Sequence, residues 1–187
     1  MLVAAITTFL WKKYFSKEEE YNLAGKNIFI TGCDSGFGYS LAVYCANIGM
    51  NVVAGCFVDS DGRRHLSTLD NVTVVSLDVT DTESVTKATD TVRKVCGDSG
   101  LHCLVNNAAT LVFGETLWQT ETMVQRQLDV NMMGPLRLIR SCFPLLMSSG
   151  SGRIVNMISN CTECPLPTLG PYTASKVTSF DFHKQTH

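Results

Sequence analysis

The chain has 187 residues, 45% of them hydrophobic, and a formal net charge of −2. That length suits one domain with a real hydrophobic core. The charge balance, with no dense Lys/Arg block, argues against a nucleic-acid surface.

Residues Met1 to Trp11 are almost wholly apolar, and Lys12, Lys13 and Tyr14 follow. A spanning helix needs about 20 apolar residues, so this run is too short to cross a bilayer. It also lacks the basic start and small-residue cleavage site of a signal peptide. Two readings stay open: an interfacial anchor with Trp11 and Tyr14 at headgroup depth, or a short helix packed on the domain. Residues 1–24 are thus an apolar segment and charged linker, and 25–187 the domain.

Strand-like and helix-like segments then alternate. Asn27 to Thr31 is a short apolar run ending at glycine, a buried strand. Tyr39 to Ile48 reads as a helix with Leu41, Cys45 and Ile48 on its inner face, stopped by Gly49. Asn51 to Val58 is a second strand, Asp59 to Leu69 a short helix or turn, and Val72 to Leu77 a third strand. Thr80-Asp-Thr-Glu83 has the form of a capping box, with Thr80 as the cap. It opens a helix carrying Val85, Ala88, Val92 and Val95 inward. Leu101 to Val105 is a fourth strand. A helical segment runs from about Thr120 to Leu146, interrupted near Gly134-Pro135 and Phe143-Pro144. Arg153 to Ile158 is a fifth strand. Five strands as continuous apolar runs, each followed by a helix, imply an α/β fold: a doubly wound, Rossmann-like parallel sheet covered on both faces. Ligands in such sheets bind at the carboxyl ends of the strands.

The first strand runs into Thr31-Gly32-Cys33-Asp34-Ser35-Gly36-Phe37-Gly38. Glycines let the chain turn tightly and let backbone N–H groups approach a pyrophosphate. The next helix offers that anion its positive end. A strand before and a helix after are the context that separates this motif from a plain tight turn. Asp59 falls where a ribose-binding acid belongs, which favours NAD; Arg63 and Arg64 could instead attract the 2′-phosphate of NADP.

Eight cysteines invite a metal or redox reading. Only Cys161-Thr-Glu-Cys164 has ligand-like spacing. No second pair matches it, and prolines follow it where a redox motif would open a helix, so no metal site is expected. Most of the others sit in apolar runs, where free cysteine acts as a small hydrophobe.

Tyr172-Thr-Ala-Ser-Lys176 sets a tyrosine and a lysine four apart, on one helical face. A lysine cation there stabilises tyrosinate, which makes Tyr172 a proton donor to a carbonyl or acceptor from an alcohol. Ser159, at the end of the fifth strand, could hold a substrate oxygen or simply satisfy local backbone. Asn106 and Asn107 end the fourth strand and could brace neighbouring strand ends. Asn131 sits within the long helix, where asparagine is a poor choice.

On these residues the chain resembles the classical short-chain dehydrogenase/reductase family. Thr31, Gly32, Gly36, Gly38, Asp78, Asn106-Asn107-Ala108, Asn131, Ser159, Tyr172 and Lys176 occur in family order and spacing over residues 26 to 176. Ala109 departs mildly from the family's usual glycine. The resemblance implies an NAD(P)-dependent oxidoreductase. It makes Tyr172 the acid/base and has Lys176 ease its proton loss and bind the nicotinamide ribose. Ser159 would stabilise the reacting oxygen, and Asn131 would hold a water in a proton relay. Asp78 would contact the adenine. Thr31, Gly32, Ser35, Gly36, Phe37, Gly38, Asp59, Asn107 and Ala108 would complete the cofactor site. The string from Thr31 to Gly38, with Asn131-Met-Met-Gly-Pro135, resembles the retinol and 17β-hydroxysteroid dehydrogenase branch. That implies an apolar alcohol or ketone substrate and an endoplasmic-reticulum-membrane or cytoplasmic setting. 3-Hydroxybutyrate dehydrogenases share much of the string, so a small hydroxy acid is the alternative substrate.

The sequence ends eleven residues after Lys176, whereas the standard dinucleotide fold has six strands. The expectation is a C-terminally truncated domain, incomplete at that sheet edge. Its Tyr172 helix would be cut short, its family dimer or tetramer interface impaired, and its turnover weak or absent. A non-catalytic nucleotide-binding or subunit-pairing fragment, and an unproductive chain that does not fold stably, are the competing readings.

Overall fold

The computed structural model describes residues 22–164 and 166–185, with side chains up to residue 178. The apolar segment Met1 to Trp11 and most of its linker lie outside the described residues. Five strands form one parallel sheet: β1 Asn27–Thr31, β2 Asn51–Cys56, β3 Val72–Ser76, β4 Cys103–Asn106 and β5 Arg153–Asn156. Their order is β3-β2-β1-β4-β5. Phe29 lies opposite Val53 on one side and Leu104 on the other. The order reverses between β1 and β4, so the strand ends open a crevice there. Among the described residues β5 pairs only with β4 and is an edge.

Side-chain alternation splits the core in two. Phe29, Val53, Val75 and Leu104 face one layer, where α3 Thr82–Cys96 and α5 Gly134–Ser148 supply Val85, Val92, Leu138 and Cys142. Ile28, Ile30, Val52, Ala54 and Val105 face the other, against α1 Gly36–Asn47 and α2 Asp61–Leu66. Phe29 and Leu104 are fully buried. Burying such a side chain contributes about 1.5–3 kcal/mol, so the middle of the sheet carries much of the stability.

Several local readings change. The buried residues of α1 are Gly38, Ala42, Cys45 and Ala46, while Leu41 is partly buried and Ile48 exposed. Small residues face the sheet because α1 lies close over the glycine turn, displacing the larger apolar stripe to the flank. The cap of α3 is Asp81, which accepts from Glu83 N at 3.0 Å, and not Thr80. The Thr80 N–H and hydroxyl are instead taken by Asp78 Oδ1 at 2.9 and 2.7 Å, a local Asx turn that holds Thr80 outside the helix.

The long helical segment divides as α4 Glu121–Leu128, a π turn Asp129–Met133, and α5. The break falls just before Gly134-Pro135. Pro135 offers no N–H to the carbonyl four residues back, Asn131, and a widened turn relieves that mismatch. No break occurs at Phe143-Pro144; α5 runs through Pro144. Finally, α6 Gly170–Gln185 extends well past Lys176. No Gly or Pro follows Gly170 and Pro171 in this stretch to stop it.

Candidate active site

The glycine turn is held by the end of β4. Thr31 Oγ1 accepts from Asn107 N at 3.1 Å and Ala108 N at 3.0 Å, and donates towards Val105 O at 3.4 Å. Asn107 Nδ2 donates to Thr31 O at 2.8 Å and Gly32 O at 3.1 Å. Two crossing chain segments are thus tied by one buried hydroxyl and one amide. Gly32 takes φ +70°, and a β-carbon there would meet Ala108 Cα at 2.8 Å. Backbone lies where side chains would be, so these positions accept only glycine. Asp34 secures the other side: its Oδ1 accepts from Val58 N at 2.7 Å, joining the turn to the end of β2.

A cavity of about 450 Å³ opens above these strand ends. Gly32, Asp34 and Ser35 line it from β1, Phe57 and Val58 from β2, Leu77, Asp78 and Val79 from β3, and Asn107 to Thr110 from β4. Of the cofactor residues expected from sequence, Gly32, Ser35, Asp78, Asn107 and Ala108 come together here. Thr31 and Gly38 sit behind the wall and shape it. Phe37 is 82% exposed on the first turn of α1. Asp59 is not in the lining; its carboxylate pairs with Arg64 at 3.1 Å. Arg64 also pairs with Asp61, and Arg63 donates to Ser76 Oγ at 2.9 Å. Sequence reasoning missed Asp34, although its place inside the glycine turn marks it.

The second group of expected residues gathers around α6. Lys176 is buried and donates from Nζ to Met157 O at 2.8 Å, tying α6 to the chain just past β5. Burial pushes its amine down from 10.5 to about 8, because the charged form loses hydration. Its Nζ lies 6.0 Å from the centroid of the half-buried Tyr172 ring. Ser159 caps the turn Asn160–Thr162, accepting from Cys161 N at 3.3 Å, so the backbone-satisfying reading of Ser159 describes its present partner. Asn131 projects from the π turn. Its Oδ1 accepts from Thr110 N and its Nδ2 donates to Thr110 O, both at 2.8 Å, and Nδ2 also donates to Ser175 Oγ at 3.0 Å. Asn106 pairs with Asn156 across β4 and β5 at 2.8 Å. Seven cysteines are buried, Cys161 among them, and Cys164 is exposed. Burial raises the thiols of Cys56, Cys96, Cys103 and Cys142 to about 11, which keeps them protonated and unreactive at neutral pH.

Sheet order and crevice define a Rossmann-like α/β architecture. The profile of the short chain dehydrogenase family matches residues 26–187, and the chain belongs to that family of oxidoreductases. Retinol dehydrogenase 7 of Mus musculus is 37% identical over 177 residues, covering 94% of this chain and 55% of that protein. Mitochondrial D-beta-hydroxybutyrate dehydrogenase of Rattus norvegicus is 37% identical over 160 residues, covering 82% and 46%. The crystal structure of a short chain dehydrogenase/reductase from Burkholderia phymatum in complex with NAD matches with a TM-score of 0.81 at 28% identity, over 88% of this chain and 60% of that one. The chain spans about half the length of the curated relatives it matches.

Proposed function

We propose that this chain binds NAD(H) in the cavity above β1, β2, β3 and β4. There its residues serve hydride exchange with an apolar alcohol or ketone. The observation that carries this is the glycine turn. Thr31 and Asn107 clamp it, and a β-carbon at Gly32 or Gly38 would strike backbone, so the turn is packed main chain against main chain. Gly32, Asp34 and Ser35 of that turn border the cavity. That cradle fits a pyrophosphate, with Gly32 and Ser35 in the turn and Gly36, Phe37 and Gly38 at the start of α1, where the helix dipole favours an anion. Asn107 and Ala108 would form the opposite wall and Asp78 the adenine side. When bound, the nicotinamide supplies the hydride acceptor or donor.

The protein's part is proton transfer and orientation. Tyr172 gives a proton to the carbonyl oxygen or takes one from the alcohol, and Ser159 exchanges its backbone partner for that oxygen. Lys176 places a cation beside the phenol; a developing tyrosinate favours its charged form, offsetting the desolvation that depresses it. Asn131, clamped to Thr110, holds the π turn beside this set. Asp59, with Arg63 and Arg64 already engaged, supports NAD over NADP.

The substrate reading rests on the exposed apolar residues Leu111, Phe113, Leu117 and Trp118, in the segment that follows Thr110. Gly114 N donates to Thr168 O at 3.1 Å, which joins this segment to the loop before α6 and so to the Tyr172 side. The retinol dehydrogenase match supports the same class. The hydroxybutyrate dehydrogenase match supports a small hydroxy acid as the second reading. Residues 25–187 act as the domain in this proposal, with the preceding segment as a peripheral membrane contact. Among the described residues no helix is long and apolar enough to cross a membrane.

Thermal unfolding with and without NAD(H) tests the binding step, and an unchanged midpoint at saturating dinucleotide overturns it. Nicotinamide absorbance with retinol, a hydroxysteroid and 3-hydroxybutyrate then tests turnover and substrate. Faster reduction with the apolar alcohols is expected. Preference for 3-hydroxybutyrate would select the second reading, and binding without turnover would make the chain a nucleotide-binding fragment.

A further inference from the structure

Ser175 lies on α6 between Tyr172, the proposed proton donor and acceptor, and Lys176, the cation beside it, and it is fully buried. Its hydroxyl donates to Tyr172 O at 2.7 Å and accepts from Asn131 Nδ2 at 3.0 Å. The polarity of this chain follows from its partners. Thr110 offers an N–H and a C=O to the Asn131 side chain, so Oδ1 must face the N–H and Nδ2 the C=O. The second Nδ2 proton then points at Ser175. A hydroxyl has one proton, and it goes to the Tyr172 carbonyl. Thr110 on the β4 loop, Asn131 on the π turn and Tyr172 on α6 are thereby linked in sequence.

We propose that Ser175 is a positioning residue, whose hydroxyl links the Asn131 amide to the first turn of α6 and so sets where Tyr172 and Lys176 stand against the π turn and the β4 loop. The inference rests on the reading of Tyr172 and Lys176 as the reacting pair. Its physical basis is the cost of the alternative. Without the hydroxyl, a buried amide proton of Asn131 loses its bond to Ser175, and the low local dielectric makes that loss expensive. The amide then gains freedom to rotate or to draw the π turn away from α6.

The test uses the whole isotope-labelled chain and needs no turnover for its first arm. In the wild type the Asn131 side-chain amide protons should give a nuclear Overhauser contact to the Ser175 β-protons and exchange slowly with solvent. In Ser175→Ala that exchange should accelerate about tenfold or more, while Ser175→Thr, which keeps the hydroxyl, stays near the wild type. In the turnover arm, Ser175→Ala should lower kcat about tenfold with KM within about twofold, and should move the pH profile of kcat. Ser175→Thr should restore both. A missing contact in the wild type, an alanine variant with wild-type amide exchange, or a threonine variant as impaired as alanine overturns the proposal. If the alanine variant does not fold, the wild-type contact and the threonine variant still decide it. If the wild type binds no NAD(H), the functional reading fails, and the amide measurements separately show whether Ser175 holds this geometry.

Discussion

A β-carbon at position 38 would stand 2.3 Å from Gly32 O and 2.4 Å from Asn107 Nδ2. Nothing flexible can move aside, since one neighbour is backbone and the other is the clamp itself. Gly36 differs: its φ is +59°, but an added β-carbon meets nothing. We therefore expect Gly38→Ala to cost about 1–3 kcal/mol in urea unfolding and to abolish stabilisation by NAD(H). Gly36→Ala should cost about 1–2 kcal/mol from left-handed strain alone and keep part of that stabilisation. Lys176 makes a different prediction. Its folded value of about 8 lies below the ordinary 10.5, so the fold disfavours its charged form. Its contribution is least unfavourable above pH 10.5, and stability is lost as pH falls through about 8. The full penalty is roughly 3 kcal/mol. Lys176→Met should remove this pH dependence, so urea midpoints of the ligand-free variant and wild type should diverge towards pH 7 and converge above pH 10.5.

At the scale of elements, the π turn does the placing. Asn131 in a regular helix would point elsewhere on a turn of 3.6 residues; the extra residue in the turn brings its amide to Thr110. Arg137 steadies this segment, bonding Asp129 at 2.8 Å and Val79 O at 3.2 Å. An interruption of the helical segment near Gly134-Pro135 was legible in the sequence, but the partners of Asn131 were not, because they are brought by the β4 loop and α6. The cap of α3 teaches the same lesson. Thr80-Asp-Thr-Glu83 fits a capping box on spacing, yet Asp78, beyond the motif, captures Thr80 first. Asp81→Ala should thus cost about 1 kcal/mol of stability in thermal or urea unfolding. A cost of that size from Thr80→Ala, with none from Asp81→Ala, would restore the original cap.

Among the described residues the fold is a sheet with two covered faces and a cavity at its carboxyl edge. Phe29→Ala empties a fully buried site at the middle of the sheet and should cost about 3–5 kcal/mol. Trp118, 80% exposed, should differ: Trp118→Ser should change stability by within about 0.5 kcal/mol and raise KM for apolar alcohols while sparing NAD(H) affinity. At 100 times its dissociation constant, a dinucleotide that binds only the folded chain adds about 2.7 kcal/mol. That is large against the cost of Asp81→Ala, so bound NAD(H) should offset it in the melting midpoint.

Alternation of apolar runs with helical periods determined the sheet and its layers, because burial on both faces demands continuous hydrophobic strands whatever their neighbours. The order of Thr31, the glycines, Asn107, Asn131, Ser159, Tyr172 and Lys176 determined the family, since each sits at a strand end or on the helix beyond it. Partners across the fold were decided only by tertiary structure. Asp34 reaches β2, Asp59 turns to Arg64, Lys176 meets Met157, and Ser175 joins Asn131 to Tyr172. Hydrogen bonds are short and directional, and these groups stand tens of residues apart along the chain except where one helix turn or loop joins them. Their pairing is set by the packing of β1 between β2 and β4 and of α6 against the π turn, which no local spacing encodes.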